Sequence, residues 1–125
     1  MNYSSYNGSL YNKDKTTLIR GVGGVSTVNI LDTVTTIDDY AFYHNNNITN
    51  ILIPEGVKHF GLFAFAYCQN LTTMTILATT PPICTQHTLF STNFQHIYVP
   101  ANSVENYKIA SRWDDYADVI SAISS

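Results

Sequence analysis

The sequence predicts an α/β, β-rich solenoid of about four 23-residue repeats, each with a strand and one short helical turn. A hairpin should open the stack and a helix should close it. Three observations predict this. An apolar triplet, spaced x-x then x, recurs in phase as Val25, Val28, Ile30; Ile48, Ile51, Ile53; Leu71, Met74, Ile76; and Phe94, Ile97, Val99. An Ala-Phe pair recurs at the same period, Ala41-Phe42 and Ala64-Phe65. Both ends of the chain then abandon the period, as the ends of a stack must.

The first segment, residues 1–24, contains "SLYNKDKTTLI" over 9–19. Two short apolar-polar stretches flank a polar Asn-Lys-Asp-Lys turn, so a hairpin is expected. "GVGG" at 21–24 reads as a turn, since it lacks the Lys-Ser/Thr of a phosphate loop and the spacing of a dinucleotide fingerprint.

Residues 25–100 carry the repeats. In an extended segment side chains alternate, so the second and third members of each triplet point inward and the residue between them points out. One such strand cannot bury its apolar side, but copies stacked about 4.8 Å apart cover one another. Val34 and Ile37 recur as Val57 and Phe60. "DDY" and "GLF" before the Ala-Phe pairs suit one tight helical turn, with Asp38 as N-cap. The third unit places Leu89-Phe90 two residues late, and Pro81-Pro82 predicts an irregular loop there. Asn47, Asn70 and Asn93, also 23 apart, should bond the loop backbone of neighbouring repeats. The sequons at Asn47 and Asn70 fall in register with the repeat and read as its by-product.

Residues 101–125 change to a helical period. Asn102 and Glu105 make a capping-box pattern. Val104, Tyr107 and Ala110, then Trp113, Tyr116, Ile120 and Ile123, predict one or two amphipathic helices over the open end. All 125 residues are expected to form a single domain.

Composition excludes several functions. Charged residues are 12% of the chain, about half of the usual 25%, and Thr, Asn, Ser and nine Tyr fill the deficit. With a net charge of −3 and six scattered Lys and Arg, no basic face exists to displace counterions, so no nucleic-acid partner is expected. No apolar run approaches 18 residues, so membrane insertion is not expected. The N-terminus lacks the pattern of a secretory signal, which leaves a cytoplasmic protein or a piece of a longer one. Cys68 and Cys84 match neither a zinc knuckle nor a redox pair; free thiols and a disulfide both remain open.

These residues resemble the BspA-like branch of the leucine-rich repeats. Its strand "LxxIxIP" and its "xxVxxIxxxAFxxC" are met by "ITNILIPEGVKHFGLFAFAYCQNLTTMTI" and by "VTTIDDYAFYHNNN". Cys68 stands at the family's cysteine position, with Asn45 and Ser91 in its place in the adjoining units, which favours packing over reactivity. "NYSSYNGSLYNKDKTTLI" is similar to a hairpin stretch within such arrays, and "IYVPANSVENYKIASRWDDYADVISAI" to their closing segment. "RGVGG" and residues 81–88 fit least. The resemblance implies the C-terminal portion of a longer array, an extracellular or cell-surface location, and adhesion to host proteins or other microbes.

No constellation for catalysis is found, so a non-enzyme without cofactor or metal is expected. His44, His59, His87 and His96 show no ligand spacing. Asp38-Asp39 and Asp114-Asp115 are adjacent in sequence, so each pair points apart and cannot share a proton. No Gly-x-Ser-x-Gly elbow is present. Binding has the better physical case. The outward strand positions Thr27, Asn29, Asn50, Leu52, Thr73, Thr75, His96 and Tyr98 should line up as an uncharged face. Its partner would be a protein or a glycan on host or neighbouring cells. The alternative is a structural spacer that self-associates through its N-terminal edge.

Overall fold

The computed structural model describes residues 3–6, 8–85 and 87–123. Residues 1–2, Asn7, Gln86 of the expected irregular loop, and 124–125 of the expected helical end lie outside that set. The architecture is strand-rich, with two sheets whose repeat strands run parallel and only short helical pieces.

The first sheet follows directly from the triplets. Strands β4 (Thr27–Asn29), β6 (Asn50–Ile53), β8 (Thr73–Ile76) and β10 (His96–Val99) pair in parallel, and a further strand, β11 (Ile120–Ala122), continues the order after β10. The register joins Val28, Ile51, Met74, Ile97 and Ile120 into one row, and every member is buried. A one-residue slip would turn this row to solvent, so the apolar pattern itself holds the register.

The second sheet has six strands. Its repeat strands are β5 (Thr36–Ile37), β7 (His59–Phe60) and β9 (Ile83–Cys84), with the meander β1 (Tyr3–Tyr6), β2 (Ser9–Asn12) and β3 (Thr17–Arg20) joined through β3. The β2–β3 hairpin forms at the expected place. Its turn is secured by Asn12 Oδ1, which accepts from the amides of Thr16 and Thr17 at 2.9 Å. Leu18, Ile37 and Phe60 form the buried row of this sheet. Stacked Phe42 and Phe65, with centroids 5.0 Å apart, belong to the same core.

The structure corrects several expectations. No helical turn follows the short strands. Tyr40 and Phe63 have φ of 60° and 54°, which breaks any helix and produces i to i+3 turns instead. The turns then bond sideways to the next repeat, with Tyr40 N donating to Leu62 O and Phe42 N to Ala64 O. Residues after Pro81-Pro82 are more regular than expected. The prolines end before pairing begins, and Ile83 N, the first free amide, donates to Lys58 O at 2.8 Å.

In the third unit the offset is one residue, not two. Phe65 N donates to Thr88 O as Phe42 N does to Ala64 O, so Thr88-Leu89 stand in the place of Ala64-Phe65. The buried Thr88 hydroxyl lies 2.9 Å from the carbonyl oxygens of Gly61 and Thr85. By the same count Thr92, not Ser91, occupies the position of Cys68, because Ser91 shares the positive φ of Tyr67.

Both ends differ from the expectations too. The capping box does not form. Ala101–Ser103 take a 3-10 turn, and helix α1 (Val104–Ile109) has Ser103 at its N-cap with no side-chain cap bond. Ser103 Oγ donates instead to Thr79 O. A second α-helix is replaced by a 3-10 segment, Asp114–Val119, and then β11. At the other end Val25 is exposed and Ile30 only half-buried, because no strand covers β4 on its outer side.

Candidate functional site

The parallel register brings all eight predicted face residues together in two rows. Thr27, Asn50, Thr73 and His96 are cross-strand partners in sequence, and so are Asn29, Leu52, Thr75 and Tyr98. Ser121 of β11 continues the second row beside Tyr98. Each residue flanks an inward-pointing neighbour of the buried row, so its outward direction follows from strand geometry. Thr27, Asn29, Asn50, Leu52 and His96 are exposed; Thr73, Thr75 and Tyr98 are half-buried.

The chemistry of this face is uniform. No member carries a formal charge, and Thr27 Oγ1 bonds Asn50 Oδ1 at 3.2 Å. His96 and Tyr98 stack with ring centroids 5.4 Å apart and planes 7° apart, which fixes both rings at one end. Leu52, 46% exposed, is the one aliphatic side chain among the eight. Such a surface offers hydroxyls, amides and one aromatic pair, and losing its water is far cheaper than stripping ions.

Sequence reasoning missed a second exposed feature, an aromatic ladder on the turns. Tyr40 and Phe63 stack at 5.5 Å, and Phe63 approaches His87 at 5.2 Å. Tyr43, Tyr67 and Phe90 join edge to face at 5.6 Å each. The signal was present, since residues 40 and 63 obey the 23-residue period. The alternation that assigns strand side chains to a face does not apply to turns, so no rule marked them.

The remaining chemically notable groups are packed away or scattered. Both cysteines are free, which settles the alternative left open above. Cys68 Sγ donates to Phe42 O at 2.9 Å, a packing role. Burial pushes its thiol up to about 11, against a smaller lowering from a backbone hydrogen bond with Asn45. Burial likewise pushes Cys84 up to about 12, with Arg112 pulling weakly the other way. Among the described residues no three His, Cys, Asp or Glu side chains come together to hold a metal. Among the described residues no helix is long and apolar enough to cross a membrane.

The Asn ladder forms in two of its three places. Asn70 Nδ2 donates to Asn46 O at 2.7 Å, and Asn93 Nδ2 to Gln69 O at 3.3 Å. In the first repeat the job falls to Asn45, whose Nδ2 donates to Val22 O.

Comparison with known proteins fits this geometry. Similar solved structures include a leucine-rich repeat protein from Bacteroides capillosus, with TM-score 0.63 and 21% identity, covering 99% of this chain and 100% of that one. Another is the pneumococcal vaccine antigen PcpA, with TM-score 0.52 and 14% identity over 99% of this chain. The match covers 48% of that protein, so the chain spans about half its length. These likenesses concern the fold. No curated protein matches the chain. The model of the BspA type leucine-rich repeat region matches residues 20–111, in six copies where the strand triplets mark four. That match extends over most of the sequence, and the chain belongs to the BspA type leucine-rich repeat family.

Proposed function

We propose that this chain is a non-catalytic binding module of a surface or secreted protein, serving adhesion through the strand face. The partner is a protein, or a glycan, on host or neighbouring cells. One observation carries the reading: two in-register rows of uncharged side chains include the stacked His96–Tyr98 pair on β10. A Tyr held in place by a neighbour contributes contact area at little entropic cost, and such residues dominate interface energies. A fold shared with a vaccine antigen agrees with an exposed location.

The test is solution binding of the chain to extracellular-matrix proteins and glycans, beside a His96→Ala/Tyr98→Ala variant of equal melting temperature. Binding that the variant loses supports the module. Binding that the variant keeps rejects the strand face.

A second reading rests on β4. Among the described residues this edge strand is bonded only to β6, and Val25 beside it is 38% exposed. Unpaired edges template association, so a spacer that assembles through its N-terminal side would use β4. Sedimentation velocity separates the two readings. A Val25→Lys edge charge that dissolves a concentration-dependent oligomer favours the spacer, and a monomer at all concentrations removes it.

A further inference from the structure

A different side of the molecule carries its own ligand chemistry. At the loops before the strands of repeats two to four lies an open depression of about 640 Å³, inside the usual range of about 300–1,000 Å³ for small-ligand sites. One bank is the row Gln69, Asn70 and Asn93, and the other is the row Thr49, Thr72 and Gln95. Thr92, Phe94, which is almost fully buried, and Tyr116 of the C-terminal segment complete it.

The lining contains no Asp, Glu, Lys or Arg. Its carboxamides differ in how they are held. Asn70 and Asn93 are anchored, because each Nδ2 already donates to a carbonyl of the preceding repeat, leaving the Oδ1 as an acceptor. Gln69 and Gln95 make no side-chain hydrogen bond to another described residue, so both amides are free at both ends. Tyr116 is fixed by donating to Leu89 O at 2.8 Å, with Thr92 Oγ1 at 3.2 Å. Phe94 meets the Tyr116 ring edge to face at 5.5 Å.

This arrangement discriminates between ligand classes. An ion finds no countercharge to repay its lost hydration. An apolar ligand would cover the amides without replacing their hydrogen bonds to water. An extended peptide cannot add here by strand pairing, because the backbone amides of Thr49, Thr72 and Gln95 are already bonded to Ser26, Thr49 and Thr72. A ligand whose hydroxyls both donate and accept, and whose C–H groups can rest against the Tyr116 side chain, meets every feature. We infer that the depression formed by Gln69, Gln95, Asn70 and Asn93 beside Phe94 and Tyr116 is a binding site for an uncharged saccharide, separate from the strand face.

The experiment is calorimetric titration of the whole chain with maltohexaose and chitotetraose as neutral probes, heparin hexasaccharide as the charged probe and gelatin as the peptide probe. At least one neutral probe is expected to bind, and heparin is not. Gln69→Ala/Gln95→Ala should fold normally, since neither amide bonds the protein, and should weaken that binding about tenfold through two lost hydrogen bonds. Tyr98→Ala should leave it unchanged. Neither neutral probe binding at about 10 mM overturns the site. So does affinity that the Gln pair does not alter, equal affinity for heparin, or gelatin binding lost in the Gln variant. Saccharide binding lost only in Tyr98→Ala would reject this site while upholding the strand face, so the two readings fail separately.

Discussion

At residues 40, 63 and 87 the backbone adopts φ of 60°, 54° and 58° with Tyr, Phe and His rather than glycine. That conformation costs a side-chain-bearing residue about 1–2 kcal/mol, and ring pairs return about 0.5–1.5 kcal/mol each. Phe63 has three such neighbours, Tyr40, Tyr43 and His87. Phe63→Gly loses the rings and relieves the strain, whereas Phe63→Ala loses the rings and keeps it. Urea unfolding should therefore find the Ala variant less stable than the Gly variant by about 1 kcal/mol. The reverse order would show that the positive φ at residue 63 carries no strain. Gly61 is needed for a different reason: a Cβ there would collide with the backbone nitrogen of Asp39, and Asp39 Oδ1 receives the Leu62 amide at 2.7 Å. Gly61→Ala should lower stability by about 1–3 kcal/mol in the same assay, by pushing two repeats apart. Neither constraint was legible in the sequence. The period marks which residues correspond, but not the backbone angle they share.

At the scale of elements, the closing segment shows what a helical pattern conceals. Trp113 is fully buried, meets the rings of Phe60 and Tyr107, and donates from Nε1 to Pro82 O at 2.9 Å. Trp113→Ala should cost about 3–5 kcal/mol by urea denaturation, from cavity formation and an orphaned carbonyl. Trp113→Phe should recover much of the packing but not the bond. The burial of Trp113, Tyr107 and Ile120 was readable from their spacing. The element type was not. Ile120 is buried because it extends the row of Met74 and Ile97 in β11, and an apolar residue every three or four positions looks the same before such a strand as along a helix. The triplet strands β4, β6, β8 and β10 were legible for the opposite reason, since four in-phase triplets leave no second period to choose. The two-residue strands β5, β7 and β9, by contrast, are too short to show an alternation.

For the whole molecule, buried acids set an alkaline limit. Cys68 and Cys84 rise from 9.0 to about 11 and about 12, and burial also raises the phenols of Tyr107 and Tyr116. Each group is neutral when protonated, and its pKa is higher folded than unfolded. Their contribution is therefore complete below pH 9.0 and lost as pH climbs through the folded values. The urea midpoint should fall above pH 9.0, and Cys68→Ala/Cys84→Ala should flatten that fall. The strand face was readable because period and alternation together place side chains, while the loop depression emerged only where separate repeats and the closing segment meet. The most direct test of the account compares affinity for whichever matrix protein the parent chain binds between Tyr98→Ala, on the strand rows, and Tyr40→Gly, on the aromatic turns. Tyr98→Ala is expected to lose binding and Tyr40→Gly to keep it. Loss in Tyr40→Gly with Tyr98→Ala unchanged would contradict that expectation and move the site to the turns.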